Sequence, residues 1–257
     1  MQYLDYKLEG KRAIVTGAGT GIGKACALEL AKGGARVALF GRRPDPLMDV
    51  LDECLEYTDD VLAWSADVAD RVSVVESVGE VVKKFGGVDI LVNNAGIESR
   101  VPQGQTIDDL FDTFNEDDYL AFFKVHAMGH YFMNLEVVPH MQRQRFGRVV
   151  NITSVTGVTG QYSSPPYTGS KAAAILQTRA FAKRYGKDNI TFNSISPGMV
   201  NTPMKSDSPP EEFAYVAGLT PLGHVADPIE IARVAMFFAQ ESLFVTGQNL
   251  VVDGGSN

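Results

Sequence analysis

The first apolar run of the chain, Ala13-Ile14-Val15, leads directly into Thr16-Gly17-Ala18-Gly19-Thr20-Gly21-Ile22-Gly23. An apolar run followed by glycines and an amphipathic segment predicts a strand that turns sharply into a helix. The unpaired N–H groups and the positive dipole end of a helix amino terminus suit an anion such as a pyrophosphate. Glycine lets the backbone approach that anion closely. This stretch, early in the chain, therefore predicts a dinucleotide-binding turn whose contacts include Gly17, Thr20, Gly21, Ile22 and Gly23.

Short apolar runs and longer amphipathic segments alternate along the rest of the chain. They predict strands at 13–16, 37–40, 61–64, 89–92, 148–152, 191–195 and 249–252, and helices at 22–32, 46–57, 72–85, 117–144, 167–185 and 229–238. Right-handed crossovers between such strands place helices on both faces of the sheet. The predicted fold class is α/β: one Rossmann-type domain over residues 1–257, with a doubly wound parallel β-sheet flanked by helices on both faces.

Composition excludes several classes of function. The chain has 257 residues, 45% of them hydrophobic, and a net charge of −8, so it lacks the basic field that nucleic-acid binding requires. Cys26 and Cys54 are too few for a disulfide framework or a thiolate metal cluster and are predicted to be small hydrophobes in helices. The chain shows neither a signal-peptide pattern nor the ~20 consecutive apolar residues of a membrane span. We expect a cytoplasmic protein without a membrane or nucleic-acid partner.

The end of the second strand indicates which dinucleotide is bound. NAD-binding chains usually carry an acidic residue there, which accepts hydrogen bonds from the adenosine ribose. Here Gly41 occupies that position and Arg42 follows it. Arg42 can meet a 2′-phosphate with charge-assisted hydrogen bonds, although a solvated surface arginine is the alternative. The sequence therefore favours NADP(H) over NAD(H). Asp67, after the third strand, could accept from the adenine amino group or cap a helix.

Six motifs in one order carry a family resemblance. They are Thr16-Gly17-x-x-x-Gly21-x-Gly23, Asn93-Asn94-Ala95-Gly96, Ser154, Tyr167-x-x-x-Lys171, Pro197-Gly198 and Val252-Asp253-Gly254-Gly255. With them the chain resembles a short-chain dehydrogenase/reductase of the common kind, which has about 250 residues. The resemblance covers nearly the whole sequence.

The resemblance implies the catalytic roles. Tyr167 would be the general acid in ketone reduction and the general base in alcohol oxidation. Lys171, one helical turn later, would lower the pKa of the Tyr167 phenol and hold the nicotinamide ribose. Ser154 would donate to the substrate oxygen. A buried, hydrogen-bonded polar residue is the alternative for each position.

The resemblance also implies contacts along the cofactor. Asn94 and Gly96 are expected beside the adenosine ribose and the nicotinamide side, whereas Asn93 is expected to be structural. Further expected contacts, besides Tyr167 and Lys171, are Arg42, Asp67, Val68, Pro197, Gly198, Val200 and Thr202. No metal site is predicted.

His126 departs from the family pattern. Many relatives carry an asparagine in the long helix before the serine strand, where it completes a tetrad and a proton relay through water. The run Lys124-Val125-His126-Ala127 places His126 at that position. We hypothesise that His126 replaces the asparagine and makes turnover pH-dependent near neutrality. A packed histidine without a chemical part is the alternative.

Two irregular segments, 97–115 and 202–221, follow strands and are placed to cover a substrate. The expected pocket residues are mostly apolar, and besides Ser154 and Tyr167 they are Val155, Val158, Tyr162, Met199, Met204, Phe213 and Tyr215. This lining favours a hydrophobic small-molecule alcohol or ketone, such as a hydroxysteroid-like ring alcohol, although core packing explains many of these residues equally well.

Other reductases of the family act on 3-oxoacyl thioesters and on sugars or polyols, and both remain alternatives. A catalytically silent NADP(H)-binding regulator is the alternative from another class of function. The resemblance implies a homotetramer. The sequence leaves open the substrate, the stereochemistry and the physiological direction of the reaction.

Overall fold

The strands of this chain lie side by side in one parallel sheet. The computed structural model describes residues 7–98, 109, 111, 113–161, 163–205, 208–240 and 244–257. Its strands are β1 (Arg12–Thr16), β2 (Arg36–Gly41), β3 (Val61–Ser65), β4 (Ile90–Asn93), β5 (Gly147–Ile152), β6 (Ile190–Pro197) and β7 (Asn249–Val252). Every pair of neighbours is parallel. The predicted parallel sheet is confirmed, and each predicted strand lies within two residues of its observed bounds.

The strand order, β3-β2-β1-β4-β5-β6-β7, reverses direction between β1 and β4. Val15 of β1 pairs with Val92 of β4, so the segments that follow these two strands leave the sheet together. In a doubly wound sheet such a reversal opens a crevice outside the carboxyl ends of the strands, and ligands bind there. The glycine-rich turn and Asn94 therefore meet at the place where the fold accepts a cofactor.

Helices cover both faces of the sheet, as predicted. They are α1 (Gly21–Lys32), α2 (Pro44–Cys54), α3 (Arg71–Phe85), α4 (Glu116–Phe123), α5 (Gly129–Gln144), α6 (Thr156–Thr159), α7 (Pro165–Tyr185), α8 (Pro210–Leu219) and α9 (Pro228–Phe238). Residues of α1, α2 and α9 form one apolar core with the sheet, and residues of α3, α5 and α7 form the other. Cys26 and Cys54 are buried in α1 and α2, which confirms their predicted role as small hydrophobes. Within the ranges described above, no helix combines the length and apolar content that a membrane span requires.

The structure corrects two predictions about helices. The helix predicted over 117–144 is not continuous, because a π-helical turn, Lys124–Met128, separates α4 from α5. Helix α8 lies in a segment that its prolines marked as irregular. Pro210 occupies the first turn of α8, where its missing N–H breaks no helical hydrogen bond. Pro44 starts α2 in the same way, two residues before the predicted start.

Candidate active site

Helix α7 carries Tyr167 and Lys171 toward the end of β5. Ser164 caps the helix and its Oγ accepts from the Tyr167 N–H at 3.4 Å, so Tyr167 lies in the first turn. Lys171 follows one turn later, and its Nζ donates to the Ile152 carbonyl, the last of β5, at 3.2 Å. The strand end and the start of the helix are thereby joined, and Ser154 lies between them in the chain.

Ser154 is oriented toward Tyr167 by Thr156. The Thr156 N–H and hydroxyl both donate to Ser154 Oγ, at 3.3 and 3.0 Å. Because these two bonds use Ser154 Oγ as an acceptor, its own O–H remains to donate to Tyr167. A hydrogen bond joins the Ser154 and Tyr167 side chains. The sequence analysis missed Thr156, although a hydroxyl residue two positions after the serine was a usable signal.

Burial controls the acid strength of the pair. It raises the pKa of Tyr167 to about 12; the Ser154 hydrogen bond lowers that pKa, and the charge of Glu98 raises it. Burial also lowers the pKa of Lys171 to about 8. The Lys171 Nζ lies 5.7 Å from the centroid of the Tyr167 ring. The loss of solvent around the phenol has the largest effect on the Tyr167 pKa here, and the lowering of that pKa by Lys171 stays a prediction.

His126 lies in the π-helical turn, fully buried against Tyr167, with the two ring centroids 5.3 Å apart. Its Nε2 accepts from the Ile97 N–H at 3.0 Å, so the ring proton is on Nδ1 and is donated to Ser170 Oγ at 2.9 Å. Ser170 Oγ in turn donates to the Tyr167 carbonyl at 2.7 Å. His126 therefore fastens the segment after β4 to α7.

Burial, and then the charge of Lys171, lower the pKa of His126 well below its ordinary value. The hypothesis of a titration near neutrality is not supported by this geometry, since the ring stays neutral and both of its nitrogens are occupied. The position at the site is as expected; the role that the contacts favour is positioning.

The glycine turn is held by Asn94. Its Nδ2 donates to the Thr16 and Gly17 carbonyls, at 3.0 and 3.2 Å. Gly17 has a φ of 63°, and a Cβ on it would lie 2.9 Å from Asn94 Nδ2. Asn93 points into the core, where its Nδ2 donates to Asn134 and Asn151, in keeping with the expected structural role.

The amino terminus of α1 has features that suit the binding of an anion. Thr20 caps it without a side-chain hydrogen bond, and the first turn of α1 has no acidic residue. Both α4 and α9, by contrast, begin with a capping box and acidic residues. The first N–H groups of α1 and the positive end of its dipole are thus left for a ligand. The residues present fit a pyrophosphate. Ile22 lies just behind, packed on the core.

The outer end of the crevice lies beside β2 and β3. Arg42 is exposed directly after Gly41, and its carbonyl accepts from Ser65 Oγ at 3.1 Å. Asp67 does not cap a helix, because Asp70 is the N-cap of α3. One carboxylate oxygen of Asp67 accepts from the Ala69 N–H at 2.9 Å. Val68 is buried, and a Cβ on Gly129 would touch its side chain.

The segment after β6 reaches the glycine turn. The Pro197 carbonyl accepts from the Val155 N–H at 2.9 Å, and a Cβ on Gly198 would lie 3.0 Å from that of Asp253. Val200 and Ala226 form a parallel β-bridge whose hydrogen bonds are made by Met199 and Asn201, on either side of Val200. The N–H and carbonyl of Val200 itself therefore face away from Ala226. A Cβ on Gly21, whose φ is 55°, would lie 3.1 Å from the Thr202 methyl.

Of the residues expected at the substrate pocket, Phe213 lines a cleft in the described part of the structure. A cleft of about 370 Å³ is lined by Asn201, Ser208, Pro210, Phe213 and Val225. Val155 and Met199 are half-buried, whereas Val158, Met204 and Tyr215 are exposed and Tyr162 lies outside the described residues. The sequence analysis also missed Glu98, whose carboxylate forms an ion pair with Lys205.

Comparison with known proteins indicates the family of the chain. A family model described as short chain dehydrogenase matches residues 11–212. A 3-oxoacyl-[acyl-carrier-protein] reductase from Thermotoga maritima is 37% identical, over 97% of this chain and 98% of that protein. A hydroxynaphthalene reductase-like protein from Metarhizium robertsii is 36% identical, over 97% and 96%. The crystal structure of a short-chain type dehydrogenase/reductase from Mycobacterium marinum superposes with a TM-score of 0.89 at 30% identity, over 98% of both chains.

Proposed function

The chain belongs to the short-chain dehydrogenase/reductase family of oxidoreductases, and from that premise we propose a specific reaction. The protein interconverts a ketone and a secondary alcohol, with NADP(H) as the hydride carrier. The observation that carries this proposal is the convergence of Ser154, Tyr167 and Lys171 at the crevice. A dinucleotide held in the crevice would supply the hydride for the ketone carbon or take it up from the alcohol carbon.

Tyr167 exchanges the proton. With a pKa of about 12 it is protonated near neutral pH, which is the form that can donate to the oxygen of a ketone as the hydride arrives. Ser154 donates to the same oxygen and polarises the carbonyl. In alcohol oxidation the phenolate accepts the proton, so that direction speeds up as the pH rises.

The residues that would hold the dinucleotide follow the crevice. The amino terminus of α1 suits the pyrophosphate, with Gly17 before the helix and Gly21 and Gly23 in its first turn. Asn94 and the main chain of Val200 lie farther along. Arg42, exposed after a strand that ends without a carboxylate, supports NADP(H) over NAD(H), because a guanidinium pairs with a 2′-phosphate in a charge-assisted geometry.

We propose a hydrophobic substrate, such as a hydroxysteroid-like ring alcohol or its ketone. Pro210, Phe213 and Val225 contribute apolar surface to the cleft beyond β6. Met204 and Tyr215 expose 52% and 65% of their surface on the same covering segment, where an apolar ring would bury them. The name of the Metarhizium relative, which refers to an aromatic ring alcohol, is consistent with this class.

A second candidate is the reduction of a 3-oxoacyl thioester. The Thermotoga maritima relative, at 37% identity, carries that activity in its name. The net charge of −8 weighs against an acidic carrier protein as the partner. A sugar or polyol substrate fits the apolar part of the cleft less well, and a silent NADP(H)-binding regulator does not need the hydroxyl pair of Ser154 and Tyr167.

One assay separates these possibilities. NADPH and NADH oxidation is measured across a panel of steroid ketones, aryl ketones, 3-oxoacyl thioesters and sugars, with Tyr167→Phe as the paired variant. We expect turnover with NADPH on a ring ketone and its loss in Tyr167→Phe. Faster turnover of the thioester would establish the second candidate. Tight NADPH binding without turnover of any substrate would establish the regulator.

We also propose a homotetramer. Strand β7 is at the edge of the sheet, and the exposed Leu250 and Phe244 lie in or near it, so this edge offers apolar surface to a second copy. Light scattering after gel filtration tests the assembly: a single mass of four chains is expected, and a monomer would contradict it.

A further inference from the structure

Phe122, near the end of α4, packs its ring against the ring of Tyr167. The two ring centroids are 6.0 Å apart and the ring planes stand at 82°, so the edge of one ring faces the other. Phe122 is only 6% exposed. Aromatic rings prefer this edge-to-face arrangement, which favours one relative orientation of the pair. Tyr167 is half-buried, so the rings packed against it decide how much water reaches it.

A second ring packs against Tyr167 beside Phe122. The His126 ring stands at 85° to the Tyr167 ring, and it also contacts the Phe122 ring, with 5.7 Å between those two centroids. His126 is held by hydrogen bonds at both of its ring nitrogens, whereas the side chain of Phe122 has no polar atom. Phe122 can therefore act on Tyr167 only through its shape and through the water that it excludes.

Helix α4 brings Phe122 to this place. Of the eight residues of α4, all of which lie within the described ranges, only Phe122 is buried. A Cβ on Gly169 of α7 would lie 3.6 Å from the ring of Phe123, the next residue, so this second ring rests on α7. His126 follows Phe122 by four residues, close to one helical turn, which agrees with the contact between their rings. Two adjacent phenylalanines thus hold the end of α4 against α7, one of them directly on Tyr167.

We propose that Phe122 is a positioning residue of the active site, whose ring holds the Tyr167 phenol in place for proton transfer and keeps water from the side that it covers. Proton transfer requires the phenol oxygen within hydrogen-bond reach of the substrate oxygen, and small displacements of a reacting group reduce the rate steeply. The Ser154 hydrogen bond holds the oxygen end of Tyr167, while Phe122 and His126 hold its ring. Because it rests on the proposed function, this role affects turnover only if Tyr167 exchanges a proton.

The same contact affects the acid strength of Tyr167. Burial is the largest cause of the raised pKa of Tyr167, and the ring of Phe122 supplies part of that burial. Removing this ring admits water beside the phenol, which stabilises the phenolate and lowers the pKa. The charged and titratable groups that face the phenol are Lys171 on α7, His126 in the π-helical turn and Glu98 after β4. None of these groups is removed when the uncharged Phe122 is replaced, so a shift of the pKa would report the entry of water.

The test compares Phe122→Ala, which removes the ring, with Phe122→Leu, which keeps most of the apolar volume. Phe85→Ala and Phe85→Leu are the matched controls, because Phe85 is 4% exposed and ends α3 in the core. We expect Phe122→Ala to lower kcat for ketone reduction by about 10- to 100-fold, with KM for NADPH within about twofold of wild type. The alkaline limb of alcohol oxidation should move to lower pH by about half to one unit. Phe122→Leu should show smaller changes in the same directions, and the Phe85 variants should show none.

An NMR titration makes the result independent of turnover. Tyrosine that is isotope-labelled at Cζ reports the ionisation of each phenol, and Tyr167→Phe identifies the Tyr167 signal. We expect this signal to titrate at lower pH in Phe122→Ala than in wild type. An unchanged titration would overturn the proposal, and so would a loss of kcat in the Phe85 variants equal to that in the Phe122 variants. If Phe122→Ala does not fold, Phe122→Leu decides by the same criteria. If no substrate is turned over, the proposed function fails, whereas the titration still decides whether Phe122 shields the phenol.

Discussion

Glu98 and Lys205 form an ion pair across the mouth of the crevice. Glu98 belongs to the segment after β4, and Lys205 ends the 3₁₀ turn Pro203–Lys205 after β6. These are the two segments that the sequence predicts to cover the substrate. The charge of Glu98 also raises the pKa of Tyr167. One ion pair thus links the cover of the crevice to its acid/base group.

Glu98→Gln and Lys205→Ala are expected to move the alkaline limb of alcohol oxidation in opposite directions. Removing the carboxylate lowers the Tyr167 pKa and moves the limb to lower pH. Removing the ammonium leaves the carboxylate unneutralised and moves the limb to higher pH, by up to about one unit at low salt in each case. The measurement is kcat against pH. Lys83→Ala, which breaks the exposed Lys83–Glu80 pair on α3, is the control, and shifts of the same sign would contradict the expectation.

Arg42→Ala is expected to weaken NADPH binding by about 10- to 100-fold and to leave NADH binding nearly unchanged, because only the 2′-phosphate loses its charged partner. Equilibrium titration with both cofactors measures the two dissociation constants. Arg43→Ala removes the same charge from the next position and controls for net charge. Equal losses for both cofactors in Arg42→Ala would refute the assignment of Arg42 to the 2′-phosphate.

Gly23→Ala is expected to destabilise the protein by about 1–3 kcal/mol and to weaken both cofactors. A Cβ on Gly23 would overlap the Gly17 carbonyl and lie 2.5 Å from Asn94 Nδ2, so the glycine turn must move. Gly79 in α3 has open space around it, and Gly79→Ala is expected to stabilise by about 0.5–1 kcal/mol. Denaturant unfolding of both variants checks the pair. Equal stability of the two variants would mean that the turn tolerates the methyl.

The buried histidines are expected to destabilise the protein in mild acid. Burial lowers the pKa of His130 to about 3, and that of His126 well below its ordinary value. Below about pH 6.5 the unfolded chain binds protons at these residues and the folded chain does not, so stability falls as pH falls. Well below pH 6.5 the loss from each approaches about 1.4 kcal/mol per pH unit. The free energy of unfolding between pH 6.5 and 5 measures this slope, and His130→Phe should reduce it; an unchanged slope would mean that His130 is protonated in the fold.

Much of the fold could be predicted because its local patterns agree with its tertiary packing. The apolar run at Val37 and the alternation of strands with amphipathic helices identified the sheet, and the observed strand order confirms a doubly wound arrangement. The predictions failed where a pattern had two structural solutions. Prolines around Pro210 marked an irregular segment, yet proline also suits a helix start, and α8 begins there. The helix period at Lys124 continues unbroken in sequence although a π-helical turn interrupts the helix.

The sequence by itself determined the order of the elements, the glycine turn and the identity of the three catalytic candidates, because each depends on residue type and spacing along the chain. Only the tertiary structure decided how acidic those groups are and what holds them. The raised pKa of Tyr167, the engaged ring of His126 and the lowered pKa of His130 all depend on burial and on partners from distant segments. Solvent exclusion and long-range hydrogen bonds arise when the chain packs, and no local pattern encodes them.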